Sequence, residues 1–253
     1  MMKDRILKYA SVSELAISDD ELAKINKLAI RELSAEEVFT FKVAICDNEV
    51  DRDFEYFTTD TLKELAELFK GKTVISDHLW TSKNQVARIY DTEVTEIGGA
   101  TKSGEEYTQL IAKCYMLKTE SNAEIIAAIE AGITKEVSIG CSVKSAVCSI
   151  CGLDNRESYC KHFNGREYDG KICYFALKGA KDAYELSFVA VPAQRNAGVT
   201  KAYGDEPMEY KAEQPPEEKP DTVNEALTLS VENVGAFLFA KKSKLKLEEK
   251  IHE

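Results

Sequence analysis

The sequence QVARIYDTEVTEIGGATKSGEEYTQLIAKCYML, residues 85–117, decides the fold class. Two segments rich in apolar and β-branched residues flank a turn around GGATKSGEE, which predicts two strands joined without a helix. Further strands are predicted in VFTFKVAIC (38–46), TVISDH (73–78), KEVSIGCSV (135–143), KICYFAL (171–177) and YELSFVAVPA (184–193). Helical periodicity predicts helices over 18–33, 59–70 and 121–131. Because strands and helices do not alternate regularly, the pattern favours an α+β protein with a mixed or antiparallel sheet or barrel.

The composition limits which functions are expected. The chain has 253 residues, of which 44% are hydrophobic and 30% charged, an ordinary globular balance. The net charge of −11 opposes a nucleic-acid partner, because phosphate binding needs a basic surface. No apolar run approaches the ~18 residues of a membrane span, and the first twenty residues have no apolar core typical of a signal peptide. We therefore expect a cytoplasmic chain without a membrane partner.

The last fifty residues differ from the rest. Four of the five prolines lie at 207, 215, 216 and 220, and residues 205–232 carry nine acids against two lysines. This composition predicts an acidic, Pro-rich, disordered linker. The segment after it, with Phe237 and Phe239 before a lysine run, predicts a docking peptide or a frayed terminus. The domain prediction is an N-terminal helical segment (1–34), a main domain (35–203) and this tail (204–253).

Four of the seven cysteines lie between residues 148 and 173 and predict a metal site. Cys148 and Cys151 form a C-x-x-C pair, and Cys160 and His162 form a C-x-H pair, within an insert at 145–175. Three thiolates and one imidazole are suited to tetrahedral Zn²⁺, and four protein ligands indicate a structural ion. Cys173 is a spare thiol that can replace His162. Free cysteines in a reducing compartment are the alternative, whereas a redox C-x-x-C lacks its usual βαβ context.

Three further residues are candidates for catalysis. His78 is the one histidine outside the insert and the tail, so it is the candidate general base. Ser138 alternates with the aliphatic Val137 and Ile139 and is the candidate nucleophile. Glu185 lies in an apolar strand, where a carboxylate needs a partner such as a histidine. Taken alone, each of these residues more often has an ordinary structural role than a catalytic one.

The order of these segments resembles a known family. The resemblance rests on NEVDRDFEYF (48–57), a helix, GKTVISDH (71–78), an R-I-Y strand, ITKEVSIGC (133–141) and YELSFVAVPAQRNAG (184–198). This succession, over roughly residues 35–200, resembles the prohead serine proteases of tailed bacteriophages, which are distantly similar in fold to herpesvirus assemblins. The insert CSICG…CKHFNGREYDG resembles a form found in some phages of Gram-positive hosts. The set as a whole, rather than any one motif, carries the likeness.

The resemblance implies a small helix-flanked β-barrel and a serine endopeptidase. By position, it implies a triad of His78, Ser138 and Glu185, with Asp182 and Asp77 as alternatives for the acid. Cys141 is a rival nucleophile, although its offset from Ser138 places it on the other strand face. The implied substrates are phage capsid and scaffold proteins and the chain itself, inside the assembling prohead in the host cytoplasm. A homo-oligomer is compatible with this reading but is not defined by the sequence.

Two other classes of function remain open at this stage. The first is a catalytically silent, zinc-stabilised structural or scaffold protein of the virion with the same fold. The second is a zinc-dependent nucleic-acid adaptor, which the net charge and the acids within the insert oppose.

Overall fold

A computed structural model describes residues 17–194 and 197–200. Its helices are α1 (Asp19–Asn26), α2 (Thr59–Phe69) and α3 (Ala123–Glu130). Helices α2 and α3 match the sequence prediction closely. The prediction of a helix over 18–33 is too long: the Asn26 side chain exchanges two hydrogen bonds with the backbone of Leu33, which holds 27–33 as a turn. The predicted linker and docking segment at 204–253 lie outside the described residues.

Ten strands account for most of the regular structure that is described. They are β1 (Val38–Asp47), β2 (Glu55–Phe57), β3 (Thr73–Ser76), β4 (Ala87–Ala100), β5 (Glu106–Leu117), β6 (Val137–Cys148), β7 (Glu167–Tyr168), β8 (Lys171–Ile172), β9 (Phe175–Phe188) and β10 (Gly198–Thr200). The two strands predicted within 85–117 form the antiparallel β4–β5 hairpin. The two strands predicted at 171–177 and 184–193 are instead largely one strand, β9, whose bulges let it continue past Gly179. The fold is α+β, as the sequence predicts.

The main sheet has the order β10-β1-β5-β4-β3-β9-β2, and β6 pairs with β9 in addition. The predicted barrel is wrong: among the described residues the sheet is not closed. Its two margins approach through an isolated bridge between Glu136 and Gly198, beside a hydrogen bond from Val199 N–H to the Lys135 carbonyl. Strand β10 is described over Gly198–Thr200, and no ladder joins it to β6 within the described part of the chain.

The main core lies between the sheet and α2. Leu62, Leu65 and Phe69 of α2 are fully buried against the strands, together with Val74 and Leu186. A second, smaller core is formed within the insert by Cys148, Cys160, Cys173 and Phe175, among other residues. The molecule thus has a sheet-and-helix core and a separate cysteine-rich one.

The antiparallel β6–β9 ladder connects these two cores. It runs from Val137 opposite Phe188 to Cys148 opposite Phe175. The first end of the ladder also pairs with β3, and the second end leads into the insert. Every residue proposed from the sequence for catalysis or metal binding lies on this ladder, on β3's continuation, or on the insert.

Candidate active site and metal site

Strand register brings the candidate catalytic residues to one face of the sheet. Glu185 on β9 lies opposite Gly140 of β6 and beside Thr73 of β3. Two residues further along β9, Ser187 lies opposite Ser138 and beside Ile75. Partners across a ladder share a face, as do residues two apart on one strand, so Ser138 and Glu185 have the same orientation. The core is on the other face, where Val137 and Leu186 are fully buried.

Glu185 and His78 are in direct contact. The distance from His78 Nδ1 to Glu185 Oε1 is 2.8 Å. Only 4% of the Glu185 side chain is exposed, whereas 44% of the His78 side chain is exposed. The buried carboxylate needs a hydrogen-bond donor, and the imidazole supplies one from the solvent side. The partner inferred for Glu185 from its apolar surroundings is thus confirmed as His78.

Gly140 provides the space that this carboxylate occupies. A Cβ atom at residue 140 would lie 2.7 Å from Glu185 Oε1, closer than real Cβ contacts allow. Oxygen Oε1 therefore lies directly over β6. The other oxygen, Oε2, is buried and has no hydrogen-bond partner within residues 17–194 and 197–200, and the same holds for Oγ1 of the neighbouring Thr73.

His78 is held by its backbone as well as by its ring. Asp77 and His78 both have φ of 53°, in the left-handed region that non-glycine residues seldom adopt. The Asp77 N–H donates to the Phe188 carbonyl at 2.9 Å, and the His78 N–H donates to Ser187 Oγ at 2.9 Å. The chain thus leaves β3 in a fixed turn that carries the imidazole back over the sheet.

Ser138 lies close to this pair without contacting it. Its side chain is half-buried, and the rise of roughly 3.3 Å per residue places it about 6.6 Å along β6 from Gly140, over which Oε1 lies. Among the described residues, His78 and Ser138 form no hydrogen bond. An imidazole ring fits between a carboxylate and a serine at such a spacing. The role of Ser138 stays a prediction.

The alternative residues named from the sequence are not part of this contact. Cys141 packs against the core on the opposite face, and burial raises the pKa of its thiol to about 11. The carboxylate of Asp182 accepts from its neighbour Ala183 N–H and lies 3.5 Å from Lys72 Nζ. Asp77 takes part through its backbone N–H. Glu185 is the one of the three acids whose side chain reaches His78.

Two clefts are each lined by one of the candidate catalytic residues. The first, the Ser138 cleft, has a volume of about 260 Å³ and an apolar floor that includes Ile45 and Val137. The second, the Trp80 cleft, has a volume of about 290 Å³ and is lined by Glu185, Trp80 and Tyr184 among others. The rings of Trp80 and Tyr184 lie 5.7 Å apart and are largely exposed. Sequence reasoning missed both aromatic residues, although Trp80 is two residues from His78.

The four residues predicted to bind a metal lie close together in the structure. One ligand atom from each of Cys148, Cys151, Cys160 and His162 lies within 4.8 Å of the others, so these four residues could bind a metal ion. The sulfur atoms of Cys151 and Cys160 are 3.6 Å apart, and Cys148 Sγ is 3.7 Å from His162 Nδ1. Metal–sulfur bonds of ~2.3 Å in a tetrahedron give sulfur–sulfur edges of about 3.8 Å. The donor set therefore fits one tetrahedral ion.

Backbone N–H groups approach two of the thiols. The Ile150 N–H approaches Cys148 Sγ at 3.4 Å, and the His162 N–H approaches Cys160 Sγ at the same distance. Although burial opposes ionisation, the N–H groups of Cys151 and Ile150 lower the pKa of the Cys148 thiol. Cys173 Sγ lies 3.7 Å from Cys148 Sγ and is fully buried, but Cys173 is not one of the four residues that converge.

The two sites lie far apart on the β6–β9 ladder. At roughly 3.3 Å per residue, about 26 Å of strand separates Gly140 from Cys148. The insert nevertheless reaches the Ser138 cleft, because Arg156 lines it. The insert also holds the loop that forms a wall of this cleft: Asn164 donates to the Asp53 carbonyl, and Gly165 lies against the Phe54 ring. A metal ion here can support the cleft but cannot touch the reacting groups.

Comparison of the chain with protein-family models, with curated proteins and with solved structures found no match in any of the three. None of the helices among residues 17–194 has both the length and the apolar character required to cross a membrane.

Proposed function

We propose that this chain is a serine endopeptidase in which Ser138, His78 and Glu185 act as nucleophile, general base and orienting acid. The observation that carries the proposal is the buried Glu185 carboxylate bound to His78 Nδ1 on the sheet face that also presents Ser138. A carboxylate that accepts from Nδ1–H leaves Nε2 free to accept a proton. A serine nucleophile requires a base of this kind, which is oriented through one ring nitrogen and accepts a proton at the other.

In the proposed reaction, His78 Nε2 takes the proton of Ser138 as Oγ attacks the substrate carbonyl. Glu185 keeps the imidazole oriented and stabilises its protonated form, and the buried position of the carboxylate strengthens this interaction. His78 then gives its proton to the leaving amine. A water molecule, activated by the same base, hydrolyses the acyl-enzyme and releases Ser138.

The resemblance to phage prohead proteases supplies the biological context of the proposal. On that reading the substrates are capsid and scaffold proteins and the chain itself, and cleavage takes place inside the assembling prohead. Ser138 lines one cleft and Glu185 lines the other, and we take these two clefts as the candidate binding sites for a peptide substrate. The ion proposed at Cys148, Cys151, Cys160 and His162 is Zn²⁺ in a structural role, since four protein ligands leave no open position.

A fluorophosphonate probe tests the enzyme class without knowledge of the substrate, because it phosphonylates activated serines. We expect one label on the wild-type chain, mapped to Ser138 by peptide mass spectrometry. Ser138→Ala and His78→Ala should not be labelled, whereas Cys141→Ala should be labelled normally.

Incubation with candidate capsid and scaffold proteins then tests the substrate class by intact mass. A folded wild-type chain that is neither labelled nor able to cleave these proteins or itself would contradict the protease proposal. That result would favour the alternative of a catalytically silent virion protein.

A further inference from the structure

Ser187 is a buried hydroxyl that the proposed chemistry does not use. It is fully buried on β9, two residues after Glu185 and on the same face. Its Oγ accepts the His78 N–H at 2.9 Å and donates to the Phe188 carbonyl at 3.2 Å. The hydroxyl therefore donates one hydrogen bond and accepts one, both to backbone groups, and one of these groups belongs to the proposed general base.

The backbone of His78 depends on this hydroxyl. Parallel pairing between β3 and β9 runs to Ser76, and the Asp77 N–H still donates to the Phe188 carbonyl. Beyond that point the chain turns through two left-handed residues, Asp77 and His78. At this turn the His78 N–H donates to the Ser187 side chain rather than to a strand carbonyl.

We propose that Ser187 is a positioning residue, which fixes the backbone of His78 so that its ring meets Glu185. The proposal rests on the proposed function of this site. Strand β9 then fixes the imidazole in two ways. The Glu185 carboxylate orients the ring of His78, and the Ser187 hydroxyl orients its backbone. Since Ser187 is fully buried, it is not itself a nucleophile.

Ser187→Ala tests the proposal in the full-length, metal-loaded chain. The substitution removes one oxygen atom and leaves the strand packing unchanged. We expect the rate of Ser138 labelling by the fluorophosphonate to fall tenfold to about a hundredfold, because small displacements of a catalytic group cost about that much. For a peptide substrate, kcat should fall while KM changes little, since Ser187 does not line either cleft.

A spectroscopic measurement separates positioning from a purely structural role. The Nδ1–H of His78, bonded to Glu185, should give a low-field proton resonance that Glu185→Gln shifts strongly upfield. Ser187→Ala should shift or broaden the same resonance, and Ser187→Thr, which keeps the oxygen, should restore it. Ser121→Ala is the matched control, because Ser121 is hydrogen-bonded to Thr119 just before α3 and lines neither cleft.

The outcomes distinguish this inference from the protease proposal. If Ser187→Ala stays folded with an unchanged resonance and an unchanged labelling rate, Ser187 has no positioning role. If the wild-type chain is never labelled but Ser187→Ala still perturbs the His78 resonance, the positioning role stands and the protease proposal fails. A lower melting temperature with the resonance intact would likewise assign Ser187 to stability alone and overturn the inference.

Discussion

The two ends of the β6–β9 ladder form sites in opposite ways. At the first end, the candidate catalytic residues come from β3's continuation, β6 and β9, which are distant in sequence and meet through strand register. At the second end, Cys148, Cys151, Cys160 and His162 come from one short insert. The first site is positioned by the whole sheet, whereas the second is positioned by local turns and by the ion it is proposed to bind.

This contrast has a consequence for stability. The end with the candidate catalytic residues is held by the main core, so it should keep its geometry when the metal is lost. The insert has only a small cluster of buried residues, so much of its folding free energy should come from the metal. Substitutions at one end should therefore leave the other end largely intact, and each prediction below measures how far that independence holds.

The largest expected effect is the loss of the nucleophile or the base. Ser138→Ala and His78→Ala should each reduce peptide hydrolysis by about 10⁶, because a triad acts as a unit. The metal content should stay at one ion per chain in both variants, as measured by elemental analysis. Loss of the metal from folded Ser138→Ala would show that the two ends are coupled and would contradict the comparison.

The next largest effect concerns the metal. Removing one of four ligands from a structural zinc site should cost about a quarter of its ~10–16 kcal/mol of binding free energy, and thus lower the affinity by a factor of a hundred or more. Cys148→Ser should show this in a competition titration with a chelator. Cys141→Ser, on the core face of β6, is the control and should bind normally.

Cys173→Ser sharpens the same measurement. Because Cys173 is outside the four converging residues, it should retain one ion per chain with an affinity close to wild type. A loss as large as that of Cys148→Ser, with His162→Ala unaffected, would replace His162 by Cys173 in the ligand set.

Fluorophosphonate labelling of Ser138 should continue in the metal-free Cys148→Ser chain, though more slowly if the wall of the Ser138 cleft loosens.

A smaller effect is expected at Gly140. In Gly140→Ala the new Cβ would meet Glu185 Oε1, so the carboxylate must shift away from His78. We expect a loss of about 1–3 kcal/mol in the free energy of unfolding, typical of overpacking, and a fall of roughly tenfold in hydrolysis. Gly198→Ala is the control: it too has an ordinary φ and a close neighbour, the Lys135 carbonyl, but it does not touch the carboxylate. Equal loss of hydrolysis in both variants would refute the specific role of Gly140.

The smallest expected effect is a pH dependence of folding stability caused by Glu55, which lines the Ser138 cleft. Burial, followed by repulsion from Asp51 and Asp53, raises the pKa of Glu55 above its ordinary value. The folded chain thus holds this proton more tightly than the unfolded chain, so ionisation of Glu55 lowers stability as the pH rises above about 4. Glu55→Gln should therefore stabilise the chain at pH 7 and have little effect at pH 3, measured by urea unfolding. Glu130→Gln, at an exposed residue, is the control. An equal gain in stability in that variant would contradict the role assigned to Glu55.

The sequence predicted the metal cluster better than the fold around it. Ligand spacing in a short insert is local, so C-x-x-C and C-x-H could be read directly as converging thiols and imidazole. The helix over 59–70 was also local and was predicted almost to its ends. The pairing of His78 with Glu185 followed from a physical argument, the need of a buried carboxylate for a donor, rather than from spacing.

What the sequence could not give depends on long-range register. The alignment of Gly140 with Glu185, and of Ser138 with Ser187, is set by bulges in the β6–β9 ladder that no local pattern reveals. The open sheet was missed for the same reason, since closure depends on whether β10 can pair along β6. The left-handed turn at Asp77 and His78 has no glycine to announce it.

The pairing of Cys148 with Phe175 determines where the insert leaves the sheet and where it returns. Because these two residues are opposite each other on adjacent strands, residues 149–174 begin and end at one place. A tight turn could replace them without moving either strand, since closing a shorter loop costs less chain entropy. Residues 149–174 are therefore an excursion from a β6–β9 hairpin that leaves and rejoins the two strands at one place.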